Sequence, residues 1–151
     1  MTSKKPLKRS NELKPFSKDH HHGLLLGWKI RNGLKKGIAA ERISAYTEWF
    51  FRNYLAPHFD LEEKYIFPIL DRQDELIAKA YTDHAQIRSM ITELNAESLA
   101  ELADLLESHI RFEERQLFGK IQEVASEEQL ALLAQVHHDG AFVEHHDEFW
   151  K

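Results

Sequence analysis

At 151 residues the chain can bury roughly two-thirds of its unfolded surface and fold as one domain without staples. Its 42% hydrophobic and 30% charged residues fit a globular protein, and the lack of any cysteine excludes disulfides, thiolate ligands, iron–sulfur clusters and cysteine nucleophiles. A net charge of −5 gives no general attraction to nucleic acid, and neither a long apolar run nor a signal-peptide core directs the chain to a membrane, so the expected location is cytoplasmic.

Residues 1–15 are polar, contain Pro6 and Pro15, and read as an extended or disordered arm made basic by Lys4, Lys5, Lys8, Arg9 and Lys14. Ser17 is a good N-cap for a first helix, with Phe16 placed as a hydrophobic staple, and the helix should run to about Gly37. At about 100° per residue, Leu26, Ile30, Leu34 and Ile38 mark its dry side, while Lys29, Asn32, Lys35 and Lys36 mark its wet side. Of the run Asp19-His20-His21-His22, His20 shares the dry side and His21 falls near the Trp28 and Lys35 edge. His20 is therefore preferred to His21 as the inward-facing histidine. Gly23 and Gly27, each costing about 1 kcal/mol of helix propensity, argue for crowding at that face.

A second helix should start near Glu41 and reach about Leu70, carrying His58, with a kink at Pro57 where a backbone donor is missing. After a short turn at Asp71–Asp74, a third helix from about Glu75 to Leu94 places Ile77, Tyr81, His84, Ile87 and Ile91 on one face. A fourth, from about Ala96 to Val124 with Asn95 as its N-cap, carries His109 and Glu113. Four long helices joined by short turns predict an all-α, up-down-up-down four-helix bundle over residues 16–124. In the remaining residues 125–151, Ser126 and Gln129 form a capping-box pattern for a short extra helix ending near Asp139-Gly140. His137, His138, His145 and His146 could bind metal adventitiously, but this His-rich end of the chain reads as a solvated tail.

The ten histidines are the compositional outlier, and a repeat organises several of them. Residues 55–70, LAPHFDLEEKYIFPIL, align with 106–121, LESHIRFEERQLFGKI, at a constant offset of 51. Residues four apart share a helix face, so His58 with Glu62 and His109 with Glu113 each form half of a metal site. Facing each other across a bundle core, two such halves make a dinuclear carboxylate site. With one histidine from each remaining helix the candidate metal ligands are His20, His58, Glu62, His84, His109 and Glu113. Four imidazoles and two carboxylates suit two ions of intermediate hardness, iron or manganese, with zinc as a competitor. Glu62 and Glu113 are the bridging candidates, because a carboxylate has two oxygens to share.

These residues carry a resemblance. DHH near the start of the first helix, HFDLEEKYIFP, the isolated His84 and HIRFEERQLF resemble the hemerythrin-like, HHE cation-binding family over about Phe16 to Val124. That resemblance implies a four-helix bundle and a cofactor of two Fe ions, an oxo- or hydroxo-bridged non-haem di-iron centre. It also implies a small diatomic ligand, O2 or NO, and leaves any protein partner undefined. The chain departs from the oxygen carriers of that family at Arg88, which stands one turn after His84 where they have a second histidine. Six protein ligands and a more open site follow, which favours redox sensing or peroxide or nitric oxide chemistry over stable oxygen carriage.

Glu63 and Glu114 have three readings: filling the remaining coordination position, orienting a ligand histidine, or pairing with Lys or Arg at the bundle edge. Tyr54, one turn before His58, reads as core packing. The leading functional expectation is a di-iron protein that binds or senses a small ligand. A di-iron oxidase or peroxidase-like enzyme, an iron-centre repair factor, and a structural metal-binding bundle are the alternatives.

Overall fold

The computed structural model describes residues 8–137 and 140–151. Among them the chain forms five helices and no strand, as the bundle prediction requires. The first, α1, spans Lys14–Lys35 and starts ahead of the expected cap at Ser17. Pro15 lies in its first turn, where a missing N–H and a fixed φ are tolerated, and no side chain caps it. Ser17 instead donates its hydroxyl to Glu114 at 2.8 Å. Leu13 and Phe16 are fully buried, and Arg9 donates to the Glu114 carbonyl at 2.6 Å, so the chain from residue 8 onward is laid on the bundle. Lys4, Lys5 and Pro6 of the expected arm lie outside the described residues. Gly37, at φ 75°, closes α1 by donating to Leu34 while Ile38 donates back to Gly33 at 3.0 Å.

The second helix, α2, covers residues 40–69 with two interruptions. Regular turns at Ala40–Phe50 and Ala56–Leu61 are separated by a π turn at Phe51–Leu55; a second π turn follows at Glu62–Ile66, then a 3-10 turn at Phe67–Ile69. The distortion expected at Pro57 takes the form of the first π turn: Pro57 cannot donate, and the Ala56 N–H before it reaches back five residues to Phe51.

The third helix, α3, is Glu75–Ile91, with Asp74 accepting from the Leu76 N–H at 2.8 Å. The fourth, α4, covers residues 96–124 behind an Asn95–Ser98 capping box and has its own π turn at Glu113–Leu117. The fifth, α5, is Glu127–Val136; its Ser126–Gln129 capping box forms as the pattern predicts, but it stops short of Asp139-Gly140.

Helix α1 packs along α4 and against α2, while α3 packs against α4. Two apolar clusters fill the interior. One contains Leu26, Phe50, Phe59, Ile87 and Ile110; the other contains Phe16, Phe67, Ile77, Leu117 and Phe118. Each long helix contributes to both, and each carries its candidate histidine at the boundary between them. Burying one such side chain contributes about 1.5–3 kcal/mol, so the polar residues at that boundary are held by rigid walls on both sides.

Residues 140–151 are not a solvated tail, and His138 lies outside the described residues. Phe149 is 1% exposed and Trp150 is also buried, both in the first cluster against Tyr46. The His145 ring packs on Trp49 with centroids 5.0 Å apart, and Glu144 accepts from Lys29 at 2.8 Å and from the Tyr46 hydroxyl at 2.6 Å. None of the described helices is long and apolar enough to cross a membrane.

Candidate metal centre

Helix phase brings the predicted ligands to one place. His20 is buried and His21 exposed, as the dry-side argument on α1 requires. His58, Glu62, His84, His109 and Glu113 are buried as well, with both glutamates at 0% exposure. Their donor atoms fall into two overlapping groups, His20-His58-Glu62-Glu113 and Glu62-His84-His109-Glu113, each with all its atoms within 4.8 Å of one another. The two glutamates belong to both groups.

Glu62 Oε1 lies 3.2 Å from Nε2 of His58 and 3.2 Å from Nε2 of His84, one imidazole from each group. Glu113 Oε1 lies 2.8 Å from His20 Nε2 and 3.5 Å from His109 Nε2, again one from each. Each carboxylate therefore spans the pair, which is the arrangement a bridging ligand needs. A π turn begins at each of them, at Glu62 and at Glu113, so the repeat extends from sequence to backbone geometry.

The outer nitrogens show how the imidazoles are aimed. His20 Nδ1 donates to Glu114 at 2.6 Å, His58 Nδ1 to Asp19 at 2.9 Å, His84 Nδ1 to Glu63 at 2.7 Å and His109 Nδ1 to Asp83 at 2.9 Å. An ionised carboxylate only accepts, so each Nδ1 carries a proton and each Nε2 is the nitrogen that faces the cluster, where its lone pair becomes available to a cation once any proton on it is released. Glu63 and Glu114 are thus orienting groups. Both also meet an arginine: Arg88 donates to Glu63 at 2.7 Å, and Arg9 lies 3.6 Å from Glu114. Arg88, at the departure point, secures the carboxylate that aims His84.

Sequence reasoning missed Asp19 and Asp83. Their signal was adjacency: each directly precedes a candidate histidine, as each candidate glutamate directly precedes an orienting one. The pattern recurs around the bundle: the sequence neighbours of His20, Glu62, His84 and Glu113 each support a candidate histidine on another helix.

The electrostatics agree with a cation site. Burial pulls His20 down, but hydrogen bonds to Glu113 and Glu114 outweigh it and raise it well above the usual imidazole range. His58 and His109 are likewise drawn down by burial and carried up to about 9, chiefly by the charges of Glu62 and Glu113 respectively. Burial pushes Glu62 up, yet the positive charge of His58, with His20 close by, holds it well below the usual carboxylate range. Asp19 is held at about 2, burial being outweighed by its bonds to His137 and His58. Buried protons here take the place of buried positive charge.

Both oxygens of Glu62, Oε2 of Glu113 and the Nε2 atoms of His84 and His109 are buried with no hydrogen-bond partner among the described residues. Each such atom ordinarily costs about 1–3 kcal/mol, and five facing one another are accounted for by a cation. The donor set, all nitrogen and oxygen, fits one.

A family model for the hemerythrin HHE cation binding domain matches residues 17–121. The chain belongs to the hemerythrin HHE family. No curated protein and no solved structure matches it. As a member of this family the chain is a cation-binding helical bundle, and its buried His/Glu cluster fits the metal site such a domain carries.

Proposed function

We propose that this hemerythrin-family domain holds a carboxylate-bridged di-iron centre and binds or senses a small diatomic ligand, O2 or NO. The observation that carries the reading is the shared pair, Glu62 and Glu113, common to two groups that each add two histidines. His20 and His58 would hold one ion, His84 and His109 the other, with an oxygen of each glutamate on both. Four protein donors per ion fall short of an octahedral set, so exchangeable positions remain. Iron supplies reversible redox chemistry and affinity for diatomic ligands when bound; manganese and zinc accept the same donors and are the competing occupants.

The protein's own part is enclosure and aim. A cavity of about 20 Å³ borders His20, His58 and His109, walled by Phe50, Leu55, Phe59 and Ile110. It has room for one water-sized molecule, which favours a diatomic ligand over an organic one. The carboxylates on Nδ1 hold the four rings without needing to move, and the apolar walls limit water at the centre.

A second reading, an oxidase or peroxidase-like enzyme or an iron-centre repair factor, is favoured by one feature. A cleft of about 300 Å³ adjoins the first cavity, sharing Asp19, His22, Tyr54 and His58 with it, and is large enough for a small organic molecule. Metal content per chain, with absorption spectra in air, after reduction, and after re-exposure to O2 or NO, separates the readings. Two irons and a visible band that forms and reverses with the diatomic ligand are expected. One zinc, or a folded chain without metal, would overturn the di-iron reading, and irreversible oxidation with turnover of a reductant would favour the enzyme. The proposal places the protein in the cytoplasm, which cell fractionation tests.

A further inference from the structure

The two orienting aspartates occupy matching places. Each directly precedes a candidate ligand histidine and bonds the histidine of the next helix, and each accepts a second hydrogen bond. For Asp83 the second donor is Lys79, at 2.8 Å and one turn earlier on α3. For Asp19 it is His137 Nε2, at 2.6 Å and 118 residues away, just past the end of α5. One half of the centre carries its support within a single helix. The other half is completed from outside the four long helices.

The chain that follows is fixed at separate points. Lys29 Nζ bonds Glu144 at 2.8 Å and lies 4.2 Å from the centre of the Trp150 ring, and the Trp150 carbonyl accepts from Lys36 at 2.7 Å. His137 also packs edge-on against Phe16, with ring centroids 4.7 Å apart, and joins Asp19 and His58 in lining the larger cleft. Attachment of this segment and the hydrogen bonding of a candidate ligand therefore meet at one carboxylate.

We propose that His137 and residues 140–151 form a docked arm that sets the cation affinity of the His20/His58 half through His137–Asp19–His58, with His137 as a positioning residue. The inference rests on the two-ion reading above. Linkage makes the coupling reciprocal: if the docked arm favours an ion beside His58, that ion favours the docked arm by the same factor. A sensing domain gains an output by this route, because the state of one half-site alters how tightly a surface segment is held. The Asp83 half, supported by Lys79, stays indifferent to the arm.

The test titrates zinc(II), which is redox-silent, into metal-stripped full-length protein against a chromophoric chelator. The wild type is expected to take up two ions. His137→Ala should weaken one of them about 10-fold or more and leave the other within about twofold, the size seen when an outer partner of a ligand is lost. His137→Gln keeps an N–H donor and should restore most of the loss. Glu144→Ala, which touches neither a cation donor nor its carboxylate, should weaken the same ion by loosening the arm. Backbone hydrogen exchange over residues 140–150 should be slower with zinc than without it in the wild type, and equal in the two states of His137→Ala. Equal weakening of both ions, no rescue by glutamine, or exchange indifferent to zinc in the wild type overturns the inference alone. A folded wild type that binds fewer than two ions overturns the two-ion reading with it.

Discussion

Asp83 accepts the Nδ1 proton of His109 at 2.9 Å although the two residues lie 26 positions apart on different helices. The bond ties α3 to α4 beside the centre and leaves Nε2 as the ring nitrogen available to a cation. Lys79 and the burial of Asp83 keep the carboxylate in place, and hydrogen bonds to His109 and Lys79 hold it below its usual range despite that burial.

Loss of that aim is measurable. Asp83→Ala is expected to lower cation affinity about 10–100-fold, as outer-partner losses do at other metal sites, without changing helix content. Competition with a chelator reads the affinity and circular dichroism the fold. Wild-type affinity in a folded Asp83→Ala protein would show that the carboxylate does not act on the ligand.

The glutamates should behave differently, because each is common to both groups. Glu62→Ala or Glu113→Ala should abolish binding of two ions per chain while the protein stays helical. Removing a buried carboxylate also removes its desolvation cost, which limits the damage to the fold. Elemental analysis of each purified variant decides the matter, and two ions retained in either one refutes the bridging role.

On α1 the contrast is between adjacent residues. His20 lies in the cluster and His21 faces solvent, so His20→Ala should cost cation stoichiometry and His21→Ala should leave it intact. Elemental analysis again decides, and the reverse order would rule out this helix phase.

Much of the site is legible in the sequence because one periodicity governs it. The His-x-x-x-Glu spacing, its copy 51 residues on, and single histidines within apolar stripes all follow from 3.6 residues per turn. Asp19 and Asp83 escape that logic. A residue next to a ligand points about 100° away from it, and what it meets there depends on a neighbouring helix that no single-helix pattern describes. Ser17 was misread for a related reason: its hydroxyl has a distant partner, Glu114, and Pro15 opens the helix without it. AFVEHHDEFWK shows neither helix nor strand period, so nothing local announced the burial of Phe149. The Gly23 crowding argument holds, since a Cβ there would meet Ile110 Cδ1 at 2.7 Å, whereas at Gly27 it would find ordinary contact distances.

The pH dependence of the metal-free protein follows from His58 and His109. Burial would lower both, but Glu62 with Asp19, and Glu113 with Asp83, outweigh it and hold each at about 9 against an ordinary 6.5. A folded value above the unfolded one gives stability that is fully present below 6.5 and lost as pH rises through 9. The unfolding free energy from urea titrations in the presence of chelator should therefore fall from about pH 6 to about pH 10, by on the order of a few kcal/mol in total, and the midpoint with it. Cation affinity should run the opposite way, rising with pH up to about 9 as imidazolium protons give way to the ion and are released. A metal-free midpoint that climbs over this interval would contradict the charge balance described for the cluster.

The C-terminal segment is part of the core. A Cβ on Gly33 would sit 2.6 Å from Phe149 Cε1, 2.8 Å from Phe149 Cδ1 and 3.0 Å from Ile43 Cδ1, so the Phe149 ring occupies space that only glycine leaves on that face of α1. Removing the ring by Phe149→Ala should cost about 3–5 kcal/mol, the usual range for a buried phenylalanine. Gly33→Ala reaches the same contact from the other side and should cost about 1–3 kcal/mol, since the ring or Ile43 must shift to admit the methyl. In a domain of this size that corresponds to roughly 10 °C in Tm for Phe149→Ala and several degrees for Gly33→Ala. Because the two changes act on one contact, the double variant should lose less than the sum of the singles. Thermal melts of the three variants measure this, and additive losses, or a Phe149→Ala protein that melts with the wild type, would show that the segment does not pack as described.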